Sequence, residues 1–437
     1  MKRIKVFPKP DKGNGWENTL SARAPAAALA TDVTADWLVI GAGYAGLGAA
    51  RRLGENRPDD KIIVIDACEI ATGASARNSG FVIDIPHNVG GDDGGIAEAQ
   101  RALRLARRAT EWLADIVKTH QIECQWSPKG QYMAASSSEG EAALDEFTKG
   151  LDLIEEPYET HGGDLKPLVG SSYYSRIVHT PGTVLMQPAA LVRGLAATLP
   201  DNVTVYENTP ATAIDYGPPV VAETPGGRIR AKIVIICVNG YAQQFGLYQG
   251  QIFPIVLFCS MTRQLSEAEH ASLGCATDWG LVPVKAFAAP TIRYTQDRRL
   301  TMRSKFTYHR SMQATAGEYQ RAVRLQAQQL RDRFPELPSD IIEHTWSGVI
   351  TMSQNHAPGF GQHAPNVWTA VCQNGVGVTK GSMSGMLAAD MATGRDNPLI
   401  ADMEALGQPS RLPPRPFVDL GVATMLKRFA WKDRAEA

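Results

Sequence analysis

Asp36-Trp37-Leu38-Val39-Ile40-Gly41-Ala42-Gly43-Tyr44-Ala45-Gly46-Leu47-Gly48-Ala49-Ala50-Arg51-Arg52-Leu53 is the stretch on which the architecture turns. A short apolar run, a glycine turn and an Ala/Leu-rich helical stretch follow one another without a gap. This is the strand, loop and helix order that dinucleotide binding needs. Gly41 permits the tight turn, Gly43 lets the backbone approach a pyrophosphate, and Gly46 lets the helix close on the strand. The helix N-terminus, with Tyr44 and Ala45, offers unpaired N–H groups and the positive end of its dipole to phosphate.

A second apolar run, Lys61-Ile62-Ile63-Val64-Ile65-Asp66, ends in a carboxylate 20 residues beyond Gly46, where a ribose hydroxyl pair is bound in such folds. An acidic residue here disfavours the 2′-phosphate of NADP. Ala67 follows it, and then comes Cys68-Glu69-Ile70-Ala71-Thr72-Gly73-Ala74-Ser75-Ala76-Arg77-Asn78-Ser79-Gly80-Phe81. NAD enzymes usually continue into a helix at this point. A loop of small residues with one Arg and one Asn instead suits a longer flavin dinucleotide, which must be threaded past backbone amides. The cofactor set predicted here is Ser75, Ala76, Arg77, Asn78, Ser79 and Gly80. The competing reading is an ordinary surface turn with a solvated Arg.

The remainder of the composition limits the alternatives. At 437 residues, 44% hydrophobic and 20% charged, the chain is long enough for two or three cores at roughly 150 residues per domain. Its formal net charge of -1, with Lys and Arg scattered, argues against nucleic acid or an anionic membrane as the main partner. Six widely spaced cysteines form no CxxC pair or metal-ligand cluster, so reduced thiols and no metal are expected. Pro8, Pro10, Asp11 and Lys12 interrupt any leader-like apolar run, and the cytoplasm is the expected compartment.

With these motifs in hand, the chain resembles the FAD-dependent glycine/D-amino-acid oxidase superfamily, and within it the group of gamma-glutamylputrescine oxidase-like, iminodiacetate and other secondary-amine oxidases. The resemblance runs from Asn14-Gly15-Trp16 to Arg411-Leu412-Pro413-Pro414, through Gly41 to Gly46, Ser75 to Gly80, Gln187-Pro188-Ala189-Ala190-Leu191, Lys232 to Gly240, and Trp346-Ser347-Gly348 to Gly377. It implies an α/β fold: a Rossmann-like FAD-binding domain built from discontinuous segments, plus a mixed α+β substrate domain with an antiparallel sheet. The expected division is an N-terminal arm over 1–33, a FAD-binding domain over 34–90, 185–249 and 346–400, a substrate domain over 91–184 and 250–345, and an extension over 401–437. The resemblance further implies that Ala211 lies near the adenine and that Val238 and Gly240 belong to a strand end near the nucleotide. Covalent flavin occurs in the superfamily, but its Cys or His motifs are not found here, so non-covalent FAD is expected.

A second strand-to-glycine-to-helix junction lies near the C-terminus, where Asn366 to Cys372 is followed by Gln373-Asn374-Gly375-Val376-Gly377-Val378-Thr379-Lys380-Gly381. Negative charge develops at the N1 and C2 carbonyl edge of a flavin on reduction, so a helix N-terminus aimed there is stabilising. Gly375, Gly377, Val378 and Thr379 are assigned to the ring on that ground, with Lys380 as a weaker candidate for added positive charge.

Helical spacing is plain in Ile96 to Val117 and in Glu318 to Phe334, and alternation in Thr291 to Gln296 and Leu300 to Ser304 predicts a hairpin. Arg293 and Arg303 are candidates for a substrate carboxylate. Tyr294, Tyr308 and Tyr132 are candidates to close the pocket, and His87 and His179 to face the flavin. The plainer alternative for each is a solvent-facing or structural side chain. Gly90 to Gly95 is read as a connection and not a calcium loop, because no terminal Glu follows at the required spacing. Amine oxidation by hydride transfer needs orientation more than an acid–base residue, and no triad or paired-carboxylate motif is present. The expected partners are a small amine and O2. A dehydrogenase of the same fold and a flavin-binding sensor without turnover stay open as alternatives.

Overall fold

The apolar run before the first glycine turn becomes the strand Val33–Ile40, buried along its second half, and the run after it becomes the fully buried Ile62–Ile65. Strands covered on both faces read as continuous Val/Ile/Leu runs, and these two pair in parallel with Leu38 opposite Ile63. The computed structural model describes residues 1–86 and 93–437. Gly227–Ile236 pairs in parallel with Val33–Ile40, Val203–Tyr206 with Ile62–Ile65, and Val367–Val371 with Gly227–Ile236. The sheet becomes antiparallel toward one edge, where Val220–Thr224 and Ala213–Asp215 add to it and Lys2–Arg3 forms the last strand. The segment expected as a separate arm over 1–33 therefore begins as an edge strand of the nucleotide-type sheet.

The second sheet has eight strands, in the order Ile342–Ser353, Ile252–Thr262, Leu300–Thr307, Thr291–Tyr294, Trp279–Pro283, Gln131–Ala135, Arg176–Thr180 and Glu159–Gly162. All neighbours are antiparallel except Trp279–Pro283 against Gln131–Ala135. The hairpin expected from alternation is present, with Ile292 opposite Met302. A division at 345/346 falls inside Ile342–Ser353, which pairs along its length with Ile252–Thr262; the ladder, which cannot be read from local composition, carries residues 346–353 into the second sheet. The predicted helices run over Asp93–Thr119 and Ala316–Arg333, the latter opened by a capping box from Thr315 and Glu318.

Two helices that follow glycine turns, Tyr44–Asn56 and Thr379–Thr393, lie against one another in the first core. Their approach depends on missing side chains. A Cβ at Gly48 would lie 2.7 Å from the carbonyl oxygen of Ser382, and one at Gly385 would overlap the carbonyl oxygen of Ala45. Within the first turn itself, a Cβ at Gly46 would overlap the carbonyl oxygen of Gly41.

Asp11 joins the N-terminal segment to three other parts of the chain. Its carboxylate accepts from the Ser347 N–H at 3.3 Å and hydroxyl at 3.1 Å and from the Tyr319 hydroxyl, and it pairs with Arg77 at 3.0 Å. Burial pushes this carboxyl up, but the Arg77 charge and the bonds from Tyr319, Arg77 and Ser347 outweigh it, leaving a pKa below the usual 3.8. All six cysteines are free and five are buried. Among the described residues no helix is long and apolar enough to cross a membrane, and no group of His, Cys, Asp and Glu could hold a metal.

Two consequences are measurable. Gly46→Ala is expected to lower the thermal midpoint by the equivalent of about 2 kcal/mol or more, because overpacking here meets backbone and not a yielding side chain; an unchanged midpoint would refute the packing role. A carboxyl whose folded pKa is depressed stabilises above its unfolded pKa and ceases to do so as pH falls through the folded value. Asp11→Asn is thus expected to cost about 2 kcal/mol at neutral pH, with the gap to the parent closing below about pH 4. A gap that persists unchanged to pH 3 would contradict the clamp.

Candidate active site

A cavity of about 1540 Å3 lies between the strand ends of the first sheet and one face of the second. The first turn contributes Gly41, Gly43, Tyr44 and Ala45. Gly41 has φ +102°, a left-handed conformation, and a Cβ there would sit 2.6 Å from the Cys237 carbonyl oxygen. The helix behind it is N-capped by Gly43 with no side-chain cap, and Ser75 Oγ accepts the Tyr44 N–H at 3.1 Å. The C-terminal turn contributes Gly375, Gly377, Val378 and Thr379 to the same cavity. Its helix also starts without a side-chain cap. Gly375 has φ +84°, and a Cβ at Gly377 would meet nothing within 4 Å. Two helix N-termini, each with free amides, therefore open on one space.

Between them lie Asp66, Ala67, Ser75, Arg77, Asn78 and Ser79, with Ala211, Val238 and Gly240 further along the wall. The Asp66 carboxylate accepts from the Ala42 N–H at 2.7 Å and the Cys68 N–H at 2.9 Å, tying the phosphate turn to the second strand. Burial pushes its pKa up. Each oxygen keeps a further lone pair for a hydroxyl. Thr351 Oγ1 and Gln373 Oε1 are buried on the cavity wall without a protein partner. Such orphans are costly unless a ligand or water satisfies them. The size, the paired helix starts and the unsatisfied groups fit a long, doubly phosphorylated cofactor with a polar ring edge.

Three of the predicted cofactor residues lie behind the wall. Gly46 serves helix packing, Ala76 is fully buried, and Gly80, at φ +82°, is set against Arg293 and the Met186 carbonyl. Arg77 lines the cavity, yet its nitrogens donate to the carbonyl oxygens of Thr72 at 2.6 Å, Ser347 at 2.9 Å and Asp11. Asn78 likewise braces its own loop, donating to Ser75 O at 2.7 Å and accepting from Gly80 N–H at 2.9 Å. Both act on the loop's shape.

The two arginines of the hairpin separate. On Thr291–Tyr294, residues 291 and 293 face one way and residues 292 and 294 the other. Arg293 shares the inward face with Thr291 but lies beneath the flavin-type loop. It is 0% exposed, donates to Gly80 O at 3.1 Å and to Met186 O, and sits 3.9 Å from Asp278. It is neither solvated nor on the cavity; it is a structural bridge between loop and sheet. Tyr294 points to the opposite core, where its hydroxyl meets His270 Nδ1 at 2.9 Å. Arg303, opposite Thr291 and Cys259, does line the cavity.

Other candidates are relocated. Lys380 is absent from the cavity wall; burial pulls its pKa down and its charge senses Glu98 on the neighbouring helix. Tyr132 packs on His179 at 5.2 Å, and that histidine's Nε2 lies 2.9 Å from Lys129 O. Tyr308 is bonded to Asp419. His87 and residues 90–92 lie outside the described residues, while residues 93–95, expected as part of a connection, open the helix Asp93–Thr119. What the sequence did not signal is that the N-terminal segment from Val6 to Asp11 lines the cavity, since no periodicity or motif marks it.

Comparison with known proteins agrees with this geometry. A family model described as DAO, FAD dependent oxidoreductase, matches residues 36–391. Gamma-glutamylputrescine oxidoreductase of Escherichia coli is 27% identical over 416 residues, covering 90% of each chain. A probable oxidoreductase OrdL of Rhizobium meliloti is 27% identical over 402 residues, covering 89% of this chain and 90% of its own. Among solved structures, glycine oxidase from Geobacillus kaustophilus superposes with a TM-score of 0.72 at 17% identity, covering 87% of this chain and 100% of its own. L-proline dehydrogenase from P. horikoshii does so with a TM-score of 0.67 at 15% identity, covering 87% and 98%. A nucleotide-type sheet, two helix starts on one cavity and a family match over most of the chain together place this protein in the DAO family of FAD-dependent oxidoreductases.

Proposed function

We propose that the protein is an oxidase acting on the C–N bond of a secondary amine or N-substituted amino acid that carries a carboxylate. Arg303 is the observation that supports this most. Its guanidinium faces the cavity, donates to Thr291 Oγ1 at 2.6 Å and lies over the Phe306 ring. Among the described residues no carboxylate stands within ion-pair distance of it. Desolvation brings its pKa down to about 10. A desolvated cation without a counter-ion is unfavourable, and a substrate carboxylate would remove that penalty through a bidentate pair.

In this reading the chain's own work is positioning. Arg303 fixes one end of the substrate, while Leu257 and Ile350 on the same face of the second sheet supply an apolar wall that keeps water away. The amides at the start of the helix Thr379–Thr393 would hold the ring of the cofactor and favour negative charge developing on it. FAD, when bound, would supply the acceptor for the hydride, and O2 as final oxidant would take up the electron pair to give hydrogen peroxide. The oxidised amine is released from Arg303 as an imine that water hydrolyses. The cytoplasm is the proposed compartment.

Non-covalent attachment belongs to the same proposal. Cys68 and Cys259 line the cavity, and burial pushes both thiols up to about 12. Neither is a thiolate at neutral pH, so neither is a ready nucleophile.

The test is anaerobic addition of an amine panel to the yellow holoenzyme, followed by admission of air. Bleaching by carboxylate-bearing secondary amines, with one peroxide per turnover in air, is expected. No bleaching by any amine would overturn the reading, and bleaching without peroxide would replace the oxidase by a dehydrogenase. Arg303→Met is expected to raise KM about 100-fold, the weight of a lost charged pair of roughly 3 kcal/mol, with the flavin spectrum retained. Acid precipitation should leave a colourless pellet and a yellow supernatant.

A further inference from the structure

The cavity continues past Arg303. Phe306, three residues along the same strand, lies under the guanidinium at 5.3 Å. Phe287 follows at 4.9 Å between ring centroids, and Phe429, on the C-terminal helix Phe417–Lys432, lies 4.8 Å beyond it. All three rings line the cavity and none is fully buried. They come from a strand, a loop and a terminal helix, so their alignment is a tertiary feature and not a consequence of one element's periodicity. Partly exposed rings in a row along a cavity wall form an apolar track that a flat ligand can cover.

The charges at that end provide no seat for a cation. Asp433 lies beside Lys285 and Lys432, and Glu146, the other carboxylate on this part of the wall, is paired with Lys149 at 2.7 Å. The track thus runs from a fixed cation at its inner end, over three rings, to an edge where Lys285 and Lys432 outnumber Asp433.

We infer that the substrate is an amine whose carboxylate rests on Arg303 and whose second arm is aromatic or flat and apolar, lying along Phe306, Phe287 and Phe429. This deepens the amine-oxidase reading and rests on it for the identity of the reacting group. An N-arylalkyl amino acid fits the description, whereas an arm ending in an ammonium group, although ring faces attract it, would meet Lys285 and Lys432 against the single carboxylate of Asp433 at the outer end.

The test uses carboxylates that cannot be oxidised, read out by perturbation of the flavin absorbance of the holoenzyme. Acetate, phenylacetate, 4-phenylbutyrate and the quaternary 4-(trimethylammonio)butyrate are titrated. The aryl carboxylates are expected to bind at least about tenfold tighter than acetate and than the quaternary compound, given the usual worth of an aromatic contact together with its buried area. Phe287→Leu and Phe429→Leu, each of which keeps an apolar side chain and removes a ring, are each expected to cut the aryl preference to about threefold or less, while leaving acetate binding unchanged. Equal affinities for acetate and aryl acids, or preference for the quaternary compound, would overturn the inference. If aryl acids bind as expected but no amine bleaches the flavin, the oxidase reading fails and the aromatic track stands. If small amines bleach it and no aryl preference exists, the track fails and the oxidase reading stands.

Discussion

The site depends on a close contact between two helices. Tyr44–Asn56 and Thr379–Thr393 each follow a glycine turn at a strand end, and they can lie together only because Gly48 meets the Ser382 carbonyl and Gly385 the Ala45 carbonyl without a Cβ in between. That contact aims two N-termini, neither closed by the side chain of its own N-cap residue, into one cavity. Each start alone would offer a partial positive charge and a few amides; side by side they can address two negatively charged parts of one long molecule. The same small residues that weaken a helix in isolation are therefore what makes the pair useful.

The second sheet completes the site by strand alternation and by depth. Its inward face carries Thr291, Arg293, Arg303 and Cys259, and the outward face carries Ile292, Tyr294 and Met302 against its own core. Alternation decides that both arginines point inward. Depth then separates their tasks. Arg293 donates through one nitrogen to the carbonyl oxygens of Gly80 and Met186 and is fully buried, while Arg303 has a threonine hydroxyl and an aromatic face and opens on the cavity. Two residues of the same type on adjacent strands come to a buried bridge between loop and sheet in one case and to a place on the cavity wall in the other.

The N-terminal segment connects these layers. Through Asp11 it touches the loop at Arg77, the helix at Tyr319 and the strand at Ser347, and its preceding residues lie along the cavity. Arg77 and Asn78 belong to the same economy of shape, since their polar atoms are occupied by neighbouring backbone. The loop's own side chains thus brace its shape where it lines the cavity.

Local sequence was sufficient for the elements and for the first half of the site. Gly41, Gly43, Asp66 and the 375–379 turn were legible because their tasks are short-range: a left-handed turn, a strand end, a helix start within a few residues. The hairpin and the two long amphipathic helices were legible from periodicities of 2 and 3.6. What lay beyond reach were pairings across long sequence separations: the strand Ile342–Ser353 joining the second sheet, Lys2–Arg3 closing the edge of the first, the N-terminal segment on the cavity wall, and the choice between Arg293 and Arg303. Sequence by itself determined which backbone could bind a dinucleotide, because sterics and helix electrostatics act within one turn. Tertiary structure alone decided which side chains meet the remaining space, because burial and counter-charge are supplied by residues hundreds of positions away.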